Sequence, residues 1–170
     1  MKTSNLHKAY IIILIGTIAW CLLFVAAPML AHARHYFSSG FIYLFFSKVC
    51  HQLPDRCFLC DGHPFAVCAR CTGIYVGFLL GALFYPLFAS RMAGSRIIII
   101  IFGVVLTSTL IDVVGNYLRW WQNNAWTRAA LGGGIGILLA CIIIPGILSI
   151  IKVKGELEKN GELPHESKTG

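Results

Sequence analysis

Charge is what this chain of 170 residues most lacks. Only 12% of it is Asp, Glu, Lys or Arg while 57% is hydrophobic, whereas soluble domains carry about 25% charged residues. The shortage excludes water as the solvent for most of the chain. Period-two alternation is also missing from the apolar runs, one of which opens with five isoleucines at 97–101. Unalternating runs in lipid fit helices, which satisfy their own backbone groups, and not the strands of a closed barrel. Acids are the scarcer sign, 7 against 14 basic residues, for a formal net charge of +7. That excess suits anionic lipid headgroups, and nothing beside it points to nucleic acid.

The apolar residues gather in four stretches, at 10–30, 72–89, 97–118 and 129–151, each near the ~20 residues a helix needs to cross a bilayer core of about 30 Å. The expected fold is all-α, an integral membrane four-helix bundle, with 1–9 as an N-terminal tail and 152–170 as a disordered tail. Between the first two spans lies an extramembrane Cys/His-rich loop, 31–71, holding a shorter apolar segment at 41–49. Too short to span, that segment reads as an interfacial helix. Lys2 and Lys8 ahead of the first stretch and "AHA" at 31–33 also fit a secretory signal, but the run exceeds the usual ~7–15 residues of a signal core. A retained helix is expected, in a multi-pass protein of the plasma membrane. Lysines and arginines near the helix ends divide evenly between the two sides, so charge sets no orientation; the polar tail favours both termini inside.

Five of the seven cysteines crowd into "CHQLPDRCFLCDGHPFAVCARCTGIYVG", 50–77. Cys57 and Cys60 form one C-x-x-C and Cys68 and Cys71 another, with Cys50 and His51 upstream; this spacing lets two sulfurs meet one metal ion or each other. A tetrahedral zinc site would take the C-x-x-C sulfurs, or Cys50, His51, Cys68 and Cys71, with iron the second candidate. Neither C-x-x-C precedes a histidine, which speaks against an attached c-type haem. Arg56 beside Cys57 and Arg70 between Cys68 and Cys71 favour thiolates, as thiol–disulfide exchange requires. The plainest alternative is a loop stapled by disulfides in a non-enzymatic membrane subunit. Cys21 and Cys141 lie in apolar helices and read as small core residues.

Asp112 is the one acid of the third span, and the spacing puts Ser108, Asp112 and Asn116 on one helical face. An acid in lipid must face the bundle and find a partner; Arg128, across a short loop, is the expected one. Gly73, Gly77 and Gly81 in the second span and Gly132 and Gly136 in the fourth are small-residue stripes that let helices approach. Trp120, Trp121 and Trp126 read as an interfacial aromatic belt. There-and-back crossing by the second and third spans puts the cysteine loop on the same side as Asn123, Asn124 and Arg128. A composite site follows, in which Arg56, Arg70 and Arg128 hold an anionic, lipid-linked substrate and Asp112 handles a proton.

Two resemblances bear on these residues. A four-helix protein with "CFLC" is similar to the bacterial membrane enzyme that generates disulfides and passes electrons to quinone, which implies a quinone cofactor under the redox alternative; the reactive pair expected in that alternative is Cys68 and Cys71. That enzyme carries a second cysteine pair in its other outer loop, and "GNYLRWWQNNAWTR" has none. More specifically, "CHQLPDRCF", "FAVCARCTGIYVG", "LIDVVGN" and "NNAWTRAALGGGIG" resemble the membrane-protein family known as domain of unknown function 2085, over about 50–136. That resemblance implies Cys50, His51, Cys68 and Cys71, with Arg56, Arg70, Asp112 and Arg128, as the positions that matter. In the family pattern the place of Cys57 is commonly a serine and Cys60 is not a motif position, which shifts the expected zinc site to Cys50, His51, Cys68 and Cys71.

Overall fold

The computed structural model describes residues 2–92, 96–120 and 124–157. Five helices and one hairpin follow in order: α1 Lys2–His32, α2 Tyr36–Phe46, a 3-10 turn Pro54–Arg56, β1 Cys57–Cys60, β2 His63–Cys68, α3 Ala69–Met92, α4 Arg96–Tyr117 and α5 Ala125–Leu157. Four of them contain stretches long and apolar enough to cross a membrane: Leu6–His32, Ala69–Leu87, Ile99–Tyr117 and Ala125–Leu157. The protein is an all-α membrane bundle capped by a two-stranded hairpin.

The helices outrun the apolar stretches. α1 starts at Lys2, inside the segment expected to be a tail, and α5 continues to Leu157, because a helix continues while its own hydrogen bonds hold and does not stop where hydropathy does. The expected tail at 158–170 lies outside the described residues, as do Trp121 and Asn123. The interfacial helix sits earlier than its apolar run, at Tyr36–Phe46. Both α1 and α4 end in the same way. Arg34 and Arg119 adopt left-handed φ of 63° and 60°, and the amides of His35 and Trp120 reach back to Leu30 O and Gly115 O at 2.9 Å. This closes the last carbonyls of each helix with a motif that usually employs glycine.

Glycine decides how α3 and α5 meet. A Cβ on Gly73 would overlap the Ala129 carbonyl, and one on Gly136 would overlap that of Ile74, so backbone lies against backbone along the stripe, as small residues permit in lipid. α1 lies across α2, β2 and α3, and its Cys21, Phe24 and Ala27 share a core with Ile42, Phe46, Ala66 and Val67. Deeper in the bundle Pro86 interrupts α3. Lacking an N–H, it leaves the carbonyl of Ala82 without a helical donor, and the Tyr10 hydroxyl of α1 donates to that oxygen at 2.8 Å.

α4 is the loosest member. It packs chiefly on α5, through a half-buried stripe of Phe102, Val105, Thr109, Asp112 and Asn116 beside the buried Gly115. Ser108 is exposed, and its hydroxyl donates back to Val104 O at 2.8 Å.

Candidate metal centre

Asp61 and Gly62 both have positive φ, 48° and 81°, the combination of the two-residue turn whose twist matches paired strands. They join β1 to β2 with Cys60 opposite His63 and Cys57 opposite Cys68. Because β2 ends at Cys68 and α3 begins at Ala69, the second C-x-x-C straddles a strand-to-helix junction. The first helical turn then brings Cys71 back over Cys68. Cys50 arrives from the other side: its amide bonds Phe46 O at 2.9 Å, and its Sγ accepts the Cys68 amide at 3.2 Å. Gln52 clamps this approach, its Nε2 donating to Tyr43 O at 2.8 Å and Ala66 O at 2.7 Å. Tyr43 in turn donates its hydroxyl to Pro64 O.

The sulfurs of Cys50, Cys68 and Cys71 lie within 4.8 Å of one another. Such a group can hold a metal ion. All seven cysteines are free thiols. Cys57 and Cys60 do not join the three: the Cys57 thiol donates to Leu53 O at 3.2 Å, and that of Cys60 faces Asp61 Oδ2 at 3.9 Å. Residues three apart on a strand point to opposite faces, whereas the same spacing on a helix brings side chains together. His51 is exposed and stands outside the three-sulfur group, on the wall of the adjoining cavity.

Electrostatics separates the cysteines as well. A hydrogen bond from the Cys71 thiol, helped by amide and Cys50 bonds, outweighs burial and holds Cys68 well below the ordinary thiol range. Burial, with the neighbouring Cys68 and Cys50 charges, pushes Cys57 up to about 11.

The cluster forms one side of a cavity of about 760 Å3. Four arginines line it, from four segments: Arg56 from the 3-10 turn, Arg70 from α3, Arg119 from the end of α4 and Arg128 from α5. Asn116 and Tyr117 of α4 complete the far wall. Asp112 meets Arg70 at 3.0 Å, while Arg128, the partner expected from sequence, lines the same cavity. The reason is the glycine seam, since Gly132 packs directly on the Arg70 backbone and holds the start of α3 against α5, within reach of Asp112. Asn124 caps α5, its Oδ1 accepting the Thr127 amide at 2.8 Å. Trp126 meets Phe58 with ring centroids 5.0 Å apart and ties the hairpin to the bundle. Arg119 escaped sequence reasoning as a site residue; its signal was its place just past the end of the third span.

This is a multi-pass membrane protein with a thiol cluster and an arginine cavity at one end of its bundle. The chain belongs to the family described as "Predicted membrane protein (DUF2085)", whose model matches residues 50–142, more than half of the chain. An uncharacterized protein of Methanocaldococcus jannaschii is 41% identical over 86 residues, 48% of this chain and 55% of its own. An uncharacterized protein of Methanothermobacter thermautotrophicus is 32% identical over 97 residues, 57% of this chain and 86% of its own. The chain thus spans about half the length of the first relative. No solved structure matches it.

Proposed function

We propose that Cys50, Cys68 and Cys71 hold a zinc ion beside the arginine cavity, and that this centre acts on an anionic, lipid-linked substrate in the plasma membrane. The observation that carries this reading is the convergence of three sulfurs from two separate segments on a cavity lined by four arginines. Tetrahedral zinc with Zn–S bonds near 2.3 Å needs sulfurs about 3.8 Å apart, so little closure is required of a group already within 4.8 Å. Iron suits the same donors less specifically. Held by these three sulfurs, zinc would supply Lewis acidity toward the substrate. The arginines bind and orient the anion. Asp112 fixes the Arg70 guanidinium and can take up a proton, and His51, on the cavity wall, stands ready as ligand or base.

Elemental analysis of detergent-purified protein tests this. About one zinc per chain, lost in Cys71→Ser and kept in Cys60→Ser, is the expected result; metal-free protein with an unperturbed fold overturns it.

The Cys68–Cys71 hydrogen bond at a helix start favours a second reading, a thiol oxidoreductase. In it the two thiols close to a disulfide, releasing two protons and two electrons that reduce a quinone to quinol. Masking of these two thiols that a reductant reverses, in protein without zinc, would favour it over the metal.

A further inference from the structure

Among the described residues the arginines of the cavity are not balanced by acids. Arg70 is engaged by Asp112, while Arg56, Arg119 and Arg128 have no carboxylate partner among the described residues. Even the engaged arginine has capacity left: its Nε is buried and makes no hydrogen bond. A zinc ion on three thiolates carries one net negative charge, so the three unpaired guanidinium groups leave about two positive charges for a ligand to match, beside hydrocarbon that makes unmatched charge costly. Guanidinium forks are built for phosphate oxygens.

The cavity also reaches the junction of α3 and α4. α3 is locked to α5 along the glycine seam, but α4 rests on α5 and scarcely touches α3. The crevice between α3 and α4 is bridged at its polar end by Arg70 and Asp112, and the cavity wall there includes Ile74 of α3 and Val113 of α4. Val113 remains 40% exposed on a helix that spans the bilayer. A soluble anion has no use for an apolar crevice, whereas a hydrocarbon chain does, and basic pockets between spans suit lipid headgroups.

We propose that the cavity receives a membrane lipid ending in a doubly charged phosphate, a phosphomonoester or a diphosphate. The phosphate sits among Arg56, Arg119 and Arg128, and the hydrocarbon leaves through the α3–α4 crevice into the bilayer. This names the substrate class of the centre described above and rests on that reading only for the count of charges.

The test uses the full chain in detergent at about pH 8, where a phosphomonoester carries close to two charges. Dioleoyl phosphatidic acid, dioleoyl phosphatidylglycerol and inorganic phosphate are titrated separately, with bound ligand counted by native mass spectrometry. Phosphatidic acid should bind once per chain and at least tenfold more tightly than the singly charged phosphatidylglycerol. Arg119→Gln and Arg128→Gln should each weaken it about tenfold without touching phosphatidylglycerol, Arg128→Lys should recover part of the loss, and Val113→Trp should block it by filling the crevice. Equal affinity for the two lipids, or many copies per chain, overturns the proposal. Inorganic phosphate binding as tightly as phosphatidic acid, or normal lipid binding by Val113→Trp, overturns lipid entry in favour of a soluble anion. Zinc measured in the same samples separates the two readings: selectivity without zinc sinks the metal alone, and zinc without selectivity sinks the lipid alone.

Discussion

Replacing Gly132 by alanine adds one methyl group at the closest approach of α3 and α5. On the observed backbone that carbon would run into the Arg70 carbonyl oxygen, and it would stand 3.1 Å from the carbonyl carbon and 3.2 Å from the Ile74 nitrogen. All are backbone atoms that no side-chain rotation can move, so the helices must part by about 1 Å. Overpacking of this kind costs about 1–3 kcal/mol, against at most about 1 kcal/mol gained from the better helix propensity of alanine. Gly133 is the control. A Cβ there would lie 3.8 Å from Gly73 O, an ordinary contact, so Gly133→Ala should be neutral or stabilising by up to about 1 kcal/mol. Reversible unfolding in mixed micelles should place Gly132→Ala below the parent and Gly133→Ala at or above it. Because Arg70 adjoins Cys71, the first variant should also lose the zinc proposed for that site. Equal stability of the two variants, or the reverse order, would refute the argument from close approach.

Asp112→Asn should destabilise the protein by about 1–3 kcal/mol, less than the ~3–5 kcal/mol of a fully buried broken pair because Arg70 keeps some exposure, and calorimetry showing no change would remove Asp112 as the partner that matters. Trp126→Ala should loosen the hairpin by about 0.5–1.5 kcal/mol through loss of the Phe58 ring contact, seen as faster amide exchange across Cys57–Cys68 with α1 unaffected. In metal-free protein, alkylation of Cys68 should change little between about pH 7 and pH 9, its thiolate already formed, while that of Cys57 should climb with pH towards its raised value; a steep slope at Cys68 contradicts the assigned hydrogen bond.

Much of the bundle was legible because bilayer thickness is a strict ruler, and because the glycine spacing at Gly73, Gly77, Gly132 and Gly136 admits few uses in lipid. The hairpin was missed although Asp61-Gly62 is a turn signal, because its strands of four and six residues show little alternation of apolar and polar side chains. That omission matters for the site. Identical C-x-x-C spacings separate the sulfurs on a strand and gather them on a helix, so spacing alone left both pairs eligible. The Arg70–Asp112 pair was missed for another reason. Nearness along the chain argued for Arg128, whereas the contact is made by a helix brought in through its seam with α5, and nothing local in the sequence encodes that.

The bond from Tyr10 to the Ala82 carbonyl makes the order of substitutions matter. Tyr10→Phe taken first strands a carbonyl that Pro86 has deprived of its helical donor, at a cost of about 1–3 kcal/mol for a buried unpaired acceptor. Pro86→Ala taken first restores an N–H one turn along, after which the tyrosine hydroxyl has nothing left to satisfy at that oxygen and its loss becomes nearly silent. Two positions on different helices therefore form an epistatic pair with one permissive route between them.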